Sequence, residues 1–280
     1  MTAKSKSSHQ LSQHKVAIIG LGKIGTILLQ AMLRERLLSP QKVYATVTRQ
    51  EKAATLAKEL GIHAGTDNAA AVRDADIVLL AVKPQTVGAV LTGLRDTLRK
   101  DQLLISVAAS VPTAYMEERL ASKVPIVRAM PNTPSLLGAG MTGICKGAHA
   151  TAGHLELAQT MFSTVGRTAV VEEKHMDAVT GLSASGPAFI YIIIESLAEA
   201  GVKVGLPRDL ATLLAAQTTM GAAKVVLETG QHPAQLKDSV TTPAGCTIDG
   251  ILELEEGKLR VTLIKAVVKA SQRAKELVFS

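Results

Sequence analysis

The sequence is poor in aromatic residues, which make up 2% of the chain, and it contains no tryptophan. Its cores must therefore be filled by Ala, Leu, Val and Ile, and an apolar share of 47% is enough to fill them. General disorder is excluded, because the charged fraction of 20% is that of an ordinary folded protein. With 280 residues, the chain is long enough for one large or two ordinary domains.

Cysteine is also scarce, since the chain has only Cys145 and Cys246. Two such residues fit a reducing compartment better than a disulfide framework. The seven histidines are scattered, and no His-Glu-x-x-His or Cys/His cluster occurs. We therefore expect no metal site.

Long apolar runs are missing, because no stretch approaches the roughly 18 residues needed to span a bilayer. Residues 1–14 are Ser-rich and lack the apolar core of a secretion signal, so we predict a disordered tail there. These features predict a cytoplasmic protein without a membrane partner.

A dense basic run is absent although the formal net charge is +7. Part of the excess lies in Lys4, Lys6 and Lys15, and the other cations are interleaved with Asp and Glu. No basic strand studded with aromatics occurs, so we expect no nucleic-acid partner. A mild attraction for small anions is the better interpretation.

Residues 15–171 alternate short apolar runs of strand type with longer helical segments rich in Ala and Leu. Near-continuous hydrophobicity is typical of parallel strands covered by helices on both faces. Alternation with helices indicates right-handed crossovers, so we predict an α/β fold with an open sheet. The predicted strands are Val16–Gly20, Lys42–Thr46, Asp76–Val82, Leu103–Val107, Pro125–Met130, Gly140–Cys145 and Thr168–Val171.

Residues 172–280 carry no further strand signal, and Gly- and Pro-containing breakers separate apolar helical segments. We predict an all-helical domain here. The predicted helices are Met176–Leu182, Ala188–Ala200, Arg208–Glu228, Thr247–Glu255 and Val261–Leu277.

A glycine-rich motif follows the first predicted strand and opens a helix. It reads Gly20-Leu21-Gly22-Lys23-Ile24-Gly25, the G-x-G-x-x-G pattern of dinucleotide-binding folds. Gly20 would make the tight turn, Gly22 would admit the pyrophosphate, and Gly25 would let the helix pack closely on the strand. The motif predicts a Rossmann-like domain that binds a nicotinamide dinucleotide, with the phosphates over the helix N-terminus.

The second predicted strand ends without the acid that usually binds the ribose 2′-hydroxyl of NAD. Thr48 and Arg49 stand there instead, and a hydroxyl and a guanidinium suit a 2′-phosphate. We therefore predict that NADP(H) is preferred and that NAD(H) is possible. The alternative is that Arg49 is simply solvated on an exposed loop.

Two catalytic signatures of related reductases are missing. No Tyr has a Lys four residues on, which removes the acid of short-chain alcohol chemistry. The β-hydroxyacid dehydrogenases carry a Lys after a Gly-rich entry to their helical domain, but Gly186 and Pro187 lead here into apolar residues. An imine needs no such acid, because its nitrogen is basic enough to be protonated as hydride arrives.

Several motifs in order give the chain a specific likeness. After residue 14, nearly the whole sequence resembles the pyrroline-5-carboxylate reductase family. The resemblance rests on Ala81-Val82-Lys83-Pro84, Arg128-Ala-Met-Pro-Asn-Thr-Pro134, Thr180-Gly-Leu-Ser-Ala-Ser-Gly-Pro187, Gln235-Leu-Lys-Asp238 and Val240-Thr-Thr-Pro-Ala-Gly-Cys-Thr-Ile248.

The resemblance implies a Rossmann-like dinucleotide-binding domain over residues 15–171 and an all-helical dimerisation domain over 172–280. It places further residues along the cofactor: Asn68, Ala81, Val82, Lys83, Pro84, Val107, Ala108 and Ala109. Lys83 could instead be an ion-pair residue. Met130–Pro134 would form part of the domain junction or act as a rigid turn.

The resemblance also implies a substrate loop that holds the carboxylate of a small imino acid and consists of Thr242, Pro243, Ala244, Gly245, Cys246 and Thr247. Thr247 would act as the catalytic residue near the ring nitrogen, unless it merely caps the following helix. Ala244 replaces the first glycine of the family loop and would be strained at positive φ. Cys246 replaces the usual Ala or Thr, and we expect a packed thiol.

The activity implied is NAD(P)H-dependent reduction of L-1-pyrroline-5-carboxylate to L-proline. The family further implies a homodimer formed through interleaved helices, with a site shared between partners and a possible assembly into a larger ring. Two alternatives stay open: a reductase of another cyclic imine or hydroxyacid, and a regulatory protein that binds NADPH without turnover.

Overall fold

The computed structural model describes residues 11–277. Of the predicted tail, residues 1–10 lie outside this range. The prediction was wrong for residues 11–14, because Leu11 is buried in the core and the carbonyl of Gln13 accepts a hydrogen bond from Lys42 Nζ at 2.8 Å. Apolar burial of Leu11 fixes this segment against the domain.

The described residues form one eight-stranded sheet with the strand order β3-β2-β1-β4-β5-β6-β7-β8. The strands are β1 Val16–Ile19, β2 Val43–Thr46, β3 His63–Gly65, β4 Ile77–Leu80, β5 Leu103–Ser106, β6 Ile126–Met130, β7 Gly140–Lys146 and β8 Gly166–Val170. The chain crosses from one side of β1 to the other between β3 and β4, which is the switch point of a Rossmann fold.

Helices connect these strands. They are α1 Lys23–Arg34, α2 Gln50–Leu60, α3 Asn68–Val72, α4 Pro84–Gly93, α5 Thr113–Glu117, α6 Ala152–Phe162 and α7 Met176–Val179, with short 3-10 turns at Pro40–Lys42, Thr133–Leu137 and Glu173–His175. A π-helical turn, Thr180–Ala184, follows α7 directly.

Both faces of the sheet are buried, as the continuous apolar runs predict. Val16 and Ile18 of β1 belong to one core cluster, while Ala17 and Ile19 belong to the cluster on the opposite face. Successive side chains of a strand point to opposite faces, so a strand buried on both sides cannot alternate with polar residues. The prediction of an α/β, Rossmann-like sheet is confirmed.

Two features of the sheet were not predicted. Strand β3 has the sequence His-Ala-Gly and lacks the β-branched residues that signal a strand. Strand β7 runs antiparallel to β6, with Arg128 opposite Cys145. The segment between them is too short for a covered crossover, so the chain turns back on itself.

The chain divides into two compact units. The sheet unit runs to Ala184 and includes residues from Ala270 onward, and the helical unit is Ser185–Lys269. The sheet unit extends past the boundary predicted at residue 171 because β6 holds α7: Arg128, which is 3% exposed, pairs with Asp177 at 3.6 Å.

The remaining helices are α8 Gly186–Lys203, α9 Arg208–Thr229, α10 Pro233–Ser239, α11 Cys246–Glu256 and α12 Leu259–Glu276. Helices α8 and α9 approach closely, since a Cβ built on Gly201 would lie 2.8 Å from Ala211 Cβ. Small residues at the contact permit this approach, as the Ala-rich composition predicts. Helix α10 was not predicted.

The helical unit leaves large apolar side chains uncovered within the single chain. Its buried apolar residues are Ala198, Ala211 and Ala215. Its exposed ones include Tyr191, Ile192, Val204, Leu213, Met220, Leu227, Leu252 and Ile264. Patches of this extent mark an interaction surface.

By length and composition alone, two helical segments would be long and apolar enough to cross a membrane: Glu173–Lys203 and Arg208–Thr229. The expectation that no apolar stretch approaches the length of a membrane span was therefore wrong. An 18-residue window can hold one or two charged residues and still have a mean hydropathy high enough for a membrane span. Core and interface helices of soluble proteins pass the same test, so the finding is weak evidence for a membrane.

Candidate functional site

The glycine-rich motif Gly20–Gly25, called the glycine loop below, lies where the carboxyl ends of β1, β2 and β4 meet. The carbonyl of Thr46 accepts hydrogen bonds from the N–H groups of Gly20 and Leu21 at 3.1 and 3.2 Å. Gly20 has φ +93°, and a Cβ there would lie 2.8 Å from Val82 Cγ1. Only glycine fits this turn, because the conformation and the contact both exclude a side chain.

The other two glycines of the motif meet different surroundings. A Cβ on Gly25 would lie 2.5 Å from the carbonyl oxygen of Gly20, so Gly25 lets α1 pack on the strand. A Cβ on Gly22 would have no neighbour within 4 Å, and the space beside this residue is open. The packing role predicted for Gly25 is observed, and the approach of a ligand at Gly22 stays a prediction.

The N-terminus of α1 is suited to an anion. Gly22 is its N-cap and provides no side-chain cap, and the first turn has no acidic residue. The free N–H groups and the helix dipole therefore favour negative charge at this point. Lys23 adds a cation in the first turn, and Leu21 and Ile24 complete the motif with one buried and one partly buried side chain.

The segment after β2 carries a cation, Arg49, whose side chain makes no polar contact among the described residues. Thr48 and Arg49 are exposed, and Arg49 is the N-cap of α2. Within residues 11–277 its guanidinium has no ion pair or hydrogen bond. A 2′-phosphate at this position would meet Arg49 and the start of α2, although Glu51 in the first turn opposes it.

Lys52 is a residue of this region that sequence reasoning missed. Its Nζ donates to the carbonyl of Leu21 at 2.8 Å, which ties α2 to the glycine loop. The spacing of Lys52 from the motif gave no signal, because only the tertiary fold brings the two segments together.

Asn68 begins α3, whose N-cap Asp67 accepts from the N–H groups of Ala69 and Ala70. The Oδ1 of Asn68 accepts a hydrogen bond from the hydroxyl of Thr46 at 2.7 Å. The fold thereby places Asn68 beside the last residue of β2 and next to the glycine loop.

Residues Ala81, Val82, Lys83 and Pro84 leave β4 at the same edge of the sheet. Ala81 N–H donates to Ile19 O at 2.9 Å, and Pro84 begins α4 at the position where a missing N–H costs nothing. Lys83 is the exposed N-cap of α4 and has no ion pair among the described residues. The ion-pair alternative for Lys83 therefore finds no partner within the described chain.

Val107, Ala108 and Ala109 follow β5, the next strand along. Val107 N–H donates to Leu80 O at 3.0 Å, and Ala108 is 2% exposed. Ser110 after them has φ 66° and is buried. Val107 and Ala108 belong to the core clusters on opposite faces of the sheet, and Ala109 is partly exposed.

A buried polar network joins β6 to the segment before α7, and sequence reasoning missed it. Arg128 pairs with Glu173 at 3.5 Å, and Glu173 also accepts from Thr113 N at 2.7 Å and Thr113 Oγ1 at 2.6 Å. Burial, reinforced by the charge of Glu173, raises the pKa of the neighbouring Cys145 thiol to about 12. Cys145 therefore stays protonated and unreactive at neutral pH.

The motif Met130–Pro134 forms a turn fixed by Asn132. Asn132 Oδ1 accepts Met141 N–H at 2.9 Å, and its Nδ2 donates to Ser183 O at 3.2 Å in the π turn. Gly181 of this turn packs against α12, since a Cβ would lie 2.7 Å from Ser271 N. These contacts account for Asn132 in the first motif and for Gly181 in the second.

The predicted substrate loop belongs to the helical unit. Gly245 N–H donates to Thr242 O at 3.0 Å, and a Cβ on Gly245 would overlap Thr242 Oγ1. Gly245 is the N-cap of α11 and gives no side-chain cap. Thr247 therefore lies inside the first turn, and the alternative that it caps the helix is wrong.

Two residues of the loop, Ala244 and Cys246, differ from those usual in the family, and the structure tests what was expected of each. Ala244, which follows Pro243, has φ 56°, so it occupies the left-handed region that normally costs a non-glycine residue about 1–2 kcal/mol. Cys246 is exposed in the chain, so the expectation of a packed thiol was wrong.

The predicted residues therefore fall into two groups. The cofactor residues of the sheet unit gather at the carboxyl ends of β1, β2, β4 and β5, and the loop 242–247 forms a helix start in the helical unit. Within residues 11–277, no cluster of metal-ligating side chains occurs. Fold and site together define a Rossmann-type, nicotinamide-dependent oxidoreductase with a helical C-terminal domain.

Comparison with known proteins identifies the family. The model for "Pyrroline-5-carboxylate reductase dimerisation" matches residues 173–277, and that for "NADP oxidoreductase coenzyme F420-dependent" matches residues 15–110. The pyrroline-5-carboxylate reductase of Methanosarcina acetivorans is 45% identical over 95% of this chain and 99% of its own. The chain belongs to the pyrroline-5-carboxylate reductase family.

Relatives in other kingdoms and in solved structures agree. The pyrroline-5-carboxylate reductase of Glycine max is 41% identical over 94% of this chain and 96% of its own. The crystal structure of Plasmodium falciparum pyrroline carboxylate reductase with NADP bound superposes with a TM-score of 0.86. It is 30% identical and covers 96% of this chain and 99% of its own. The two-domain prediction of a Rossmann-like domain followed by a helical dimerisation domain is confirmed.

Proposed function

We propose that this protein catalyses the NADPH-dependent reduction of L-1-pyrroline-5-carboxylate to L-proline, the final step of proline biosynthesis. The observation that carries the proposal is the 45% identity, over 95% of the chain, to a reductase of that name. The glycine loop, with open space at Gly22, would supply one of the two anion sites that such a reaction needs, and the uncapped start of α11 would supply the other.

The sheet unit would hold the cofactor. The pyrophosphate would lie at the N-terminus of α1 beside Gly22, and Asn68 near β2 and Lys83 after β4 would offer donors on either side of β1. The nicotinamide ring would border Val107, Ala108 and Ala109 at the end of β5, of which Ala109 is partly exposed. When bound, the reduced nicotinamide supplies a hydride to the substrate carbon C5.

The substrate loop would hold the imino acid. The free N–H groups at the start of α11 form a site for its carboxylate, as helix N-termini do for anions generally. Thr247 lies within the same first turn, half-buried, and its hydroxyl has no hydrogen-bond partner within residues 11–277. We assign that hydroxyl to the ring nitrogen, where it orients the imine while water or Thr247 supplies the proton.

The direct test is a turnover assay. The purified protein is mixed with freshly cyclised L-pyrroline-5-carboxylate and NADPH, and the loss of NADPH absorbance and the appearance of proline are followed together. Equal rates of NADPH loss and proline formation support the proposal. Binding of NADPH with no loss of this imine would contradict it and would direct attention to another imine or a hydroxyacid.

Arg49 is expected to decide between the two cofactors. Replacing Arg49 with Gln should raise the KM for NADPH about ten-fold, since it removes a charge-assisted hydrogen bond to the 2′-phosphate. The KM for NADH should stay within about two-fold. Steady-state kinetics with both cofactors measure this, with Lys58→Gln on the same helix as the control. A parallel rise for NADH would place Arg49 outside the 2′-phosphate site.

The exposed apolar face of the helical unit supports a homodimer. Leu213, Met220 and Leu227 recur every seven residues along α9, so they lie on one face, and each is more than half exposed in the single chain. A dimer would cover this face, and we propose that dimers also build a larger ring. A buried dimer interface accounts for the apolar helices without a membrane, in keeping with a cytoplasmic enzyme.

A charge on this face is expected to separate the subunits. Met220→Glu should weaken the dimer at least about 100-fold, because a carboxylate cannot be buried there without a partner. Sedimentation velocity over a concentration series measures the effect, and Met220→Leu, which keeps this position apolar, is the matched control and should associate like the wild type. Unchanged association of the Met220→Glu protein would exclude this face from the interface.

A further inference from the structure

Thr46 is a buried residue that contacts two parts of the proposed cofactor site, the glycine loop and Asn68. It is the last residue of β2 and is 3% exposed. Its carbonyl accepts from Gly20 and Leu21, and its hydroxyl donates to Asn68 Oδ1 at 2.7 Å. The backbone of Thr46 therefore fixes the glycine loop, and its side chain fixes the amide of Asn68.

The direction of the Thr46 hydrogen bond decides what Asn68 offers to a ligand. With Oδ1 occupied, Nδ2 and its two protons point elsewhere, and within residues 11–277 they have no acceptor. Asn68 is only partly buried, so these donors remain accessible. The amide consequently presents a donor next to the glycine loop.

The opposite amide orientation is disfavoured by Thr46 itself. A flipped Asn68 would turn its NH₂ group to the hydroxyl, which could then only accept, and the hydroxyl proton would be left unpaired at a buried position. The described structure gives this proton no other acceptor than Asn68 Oδ1. A flipped amide would also present a carbonyl oxygen to the phosphate and ribose oxygens of a dinucleotide, which are acceptors.

We propose that Thr46 is a positioning residue for the dinucleotide, which acts by holding the amide of Asn68 with its NH₂ group toward the ligand. This inference rests on the proposed cofactor site. It predicts that the Thr46 hydroxyl affects NADPH binding only through Asn68.

A double-mutant cycle tests this prediction. The dissociation constant of NADPH is measured by fluorescence titration for the wild type, Thr46→Val, Asn68→Ala and the double variant. Thr46→Val keeps the β-branched shape and should raise the dissociation constant about five-fold, which corresponds to one hydrogen bond. In the Asn68→Ala background the same change should have less than about a two-fold effect.

Two further measurements separate positioning from a packing effect. Thr46→Ser restores the hydroxyl and should bring the dissociation constant back to within about two-fold of the wild type. In turnover, Thr46→Val should raise the KM for NADPH and leave kcat at saturating cofactor unchanged.

The outcomes are distinct. An equal rise of the dissociation constant in both backgrounds, or no rise in the wild-type background, would overturn the role of Thr46 while leaving the cofactor site in place. A wild-type protein that does not bind NADPH would overturn the cofactor site and this inference together.

Discussion

Replacing Thr247 with Val is expected to lower kcat/KM for the imine about 10²-fold, the low end of the range for a positioned proton donor. The change removes one hydroxyl and keeps the shape of the side chain. Because that hydroxyl has no partner within the described chain, its loss should leave the free energy of unfolding nearly unchanged. The substitution should therefore lower the rate of the reaction without lowering the stability of the fold.

Three controls make the Thr247 experiment specific. Thr160→Val changes a threonine in the last turn of α6 whose Oγ1 donates to Glu156 O at 2.9 Å, and its kcat/KM should stay at the wild-type value. The dissociation constant of NADPH should be unaffected by Thr247→Val, since Thr247 belongs to the helical unit. Thr247→Ser should retain most of the activity. Full activity of Thr247→Val would remove Thr247 from the mechanism.

Replacing Gly22 with Ala is expected to weaken NADPH binding about 10²-fold, or roughly 2.7 kcal/mol. A Cβ at this position meets no protein atom within 4 Å, so the fold itself should tolerate it. The methyl group would stand in the space through which the pyrophosphate approaches the backbone. The free energy of unfolding should change by less than about 1 kcal/mol, the usual difference between Gly and Ala at an N-cap.

Two other glycines serve as comparisons for Gly22. Gly25→Ala places a Cβ 2.5 Å from the Gly20 carbonyl, so it should lower stability by about 1–3 kcal/mol as well as binding. Gly93→Ala meets nothing within 4 Å at the end of α4 and should change neither stability nor binding. Titration with NADPH and chemical denaturation measure both quantities. Normal affinity of Gly22→Ala would place the pyrophosphate elsewhere.

The sheet could be predicted from the sequence because its strands are buried on both faces. Runs such as Ile77–Leu80 have no polar position, and the glycine motif follows the first of them. Strand β3 could not be predicted, because His63, Ala64 and Gly65 carry no strand signal and pairing with β2 alone forms the strand. The predicted tail was wrong for residues 11–14, since the burial of Leu11 depends on a core assembled from distant segments.

The candidate site was predictable where a residue type has a local requirement. Gly20 and Gly25 are determined by a turn and a close contact. Lys52, Arg128 and Thr46 were not found, because their partners are distant in the chain and their roles arise only when the strands assemble.

The loop before α11 shows the same limit. The likeness of residues 240–248 to a family motif located the loop. Its sequence did not reveal that Gly245 is the N-cap or that Cys246 is exposed, because both depend on where α11 begins.

The central claim is that hydride passes from the nicotinamide to C5 of the imino acid. The most direct test supplies NADPH that carries deuterium at both C4 positions, together with L-pyrroline-5-carboxylate, and examines the proline by mass spectrometry and NMR. The account predicts proline with one deuterium at C5. Proline without deuterium at C5, or no proline despite bound NADPH, would contradict it.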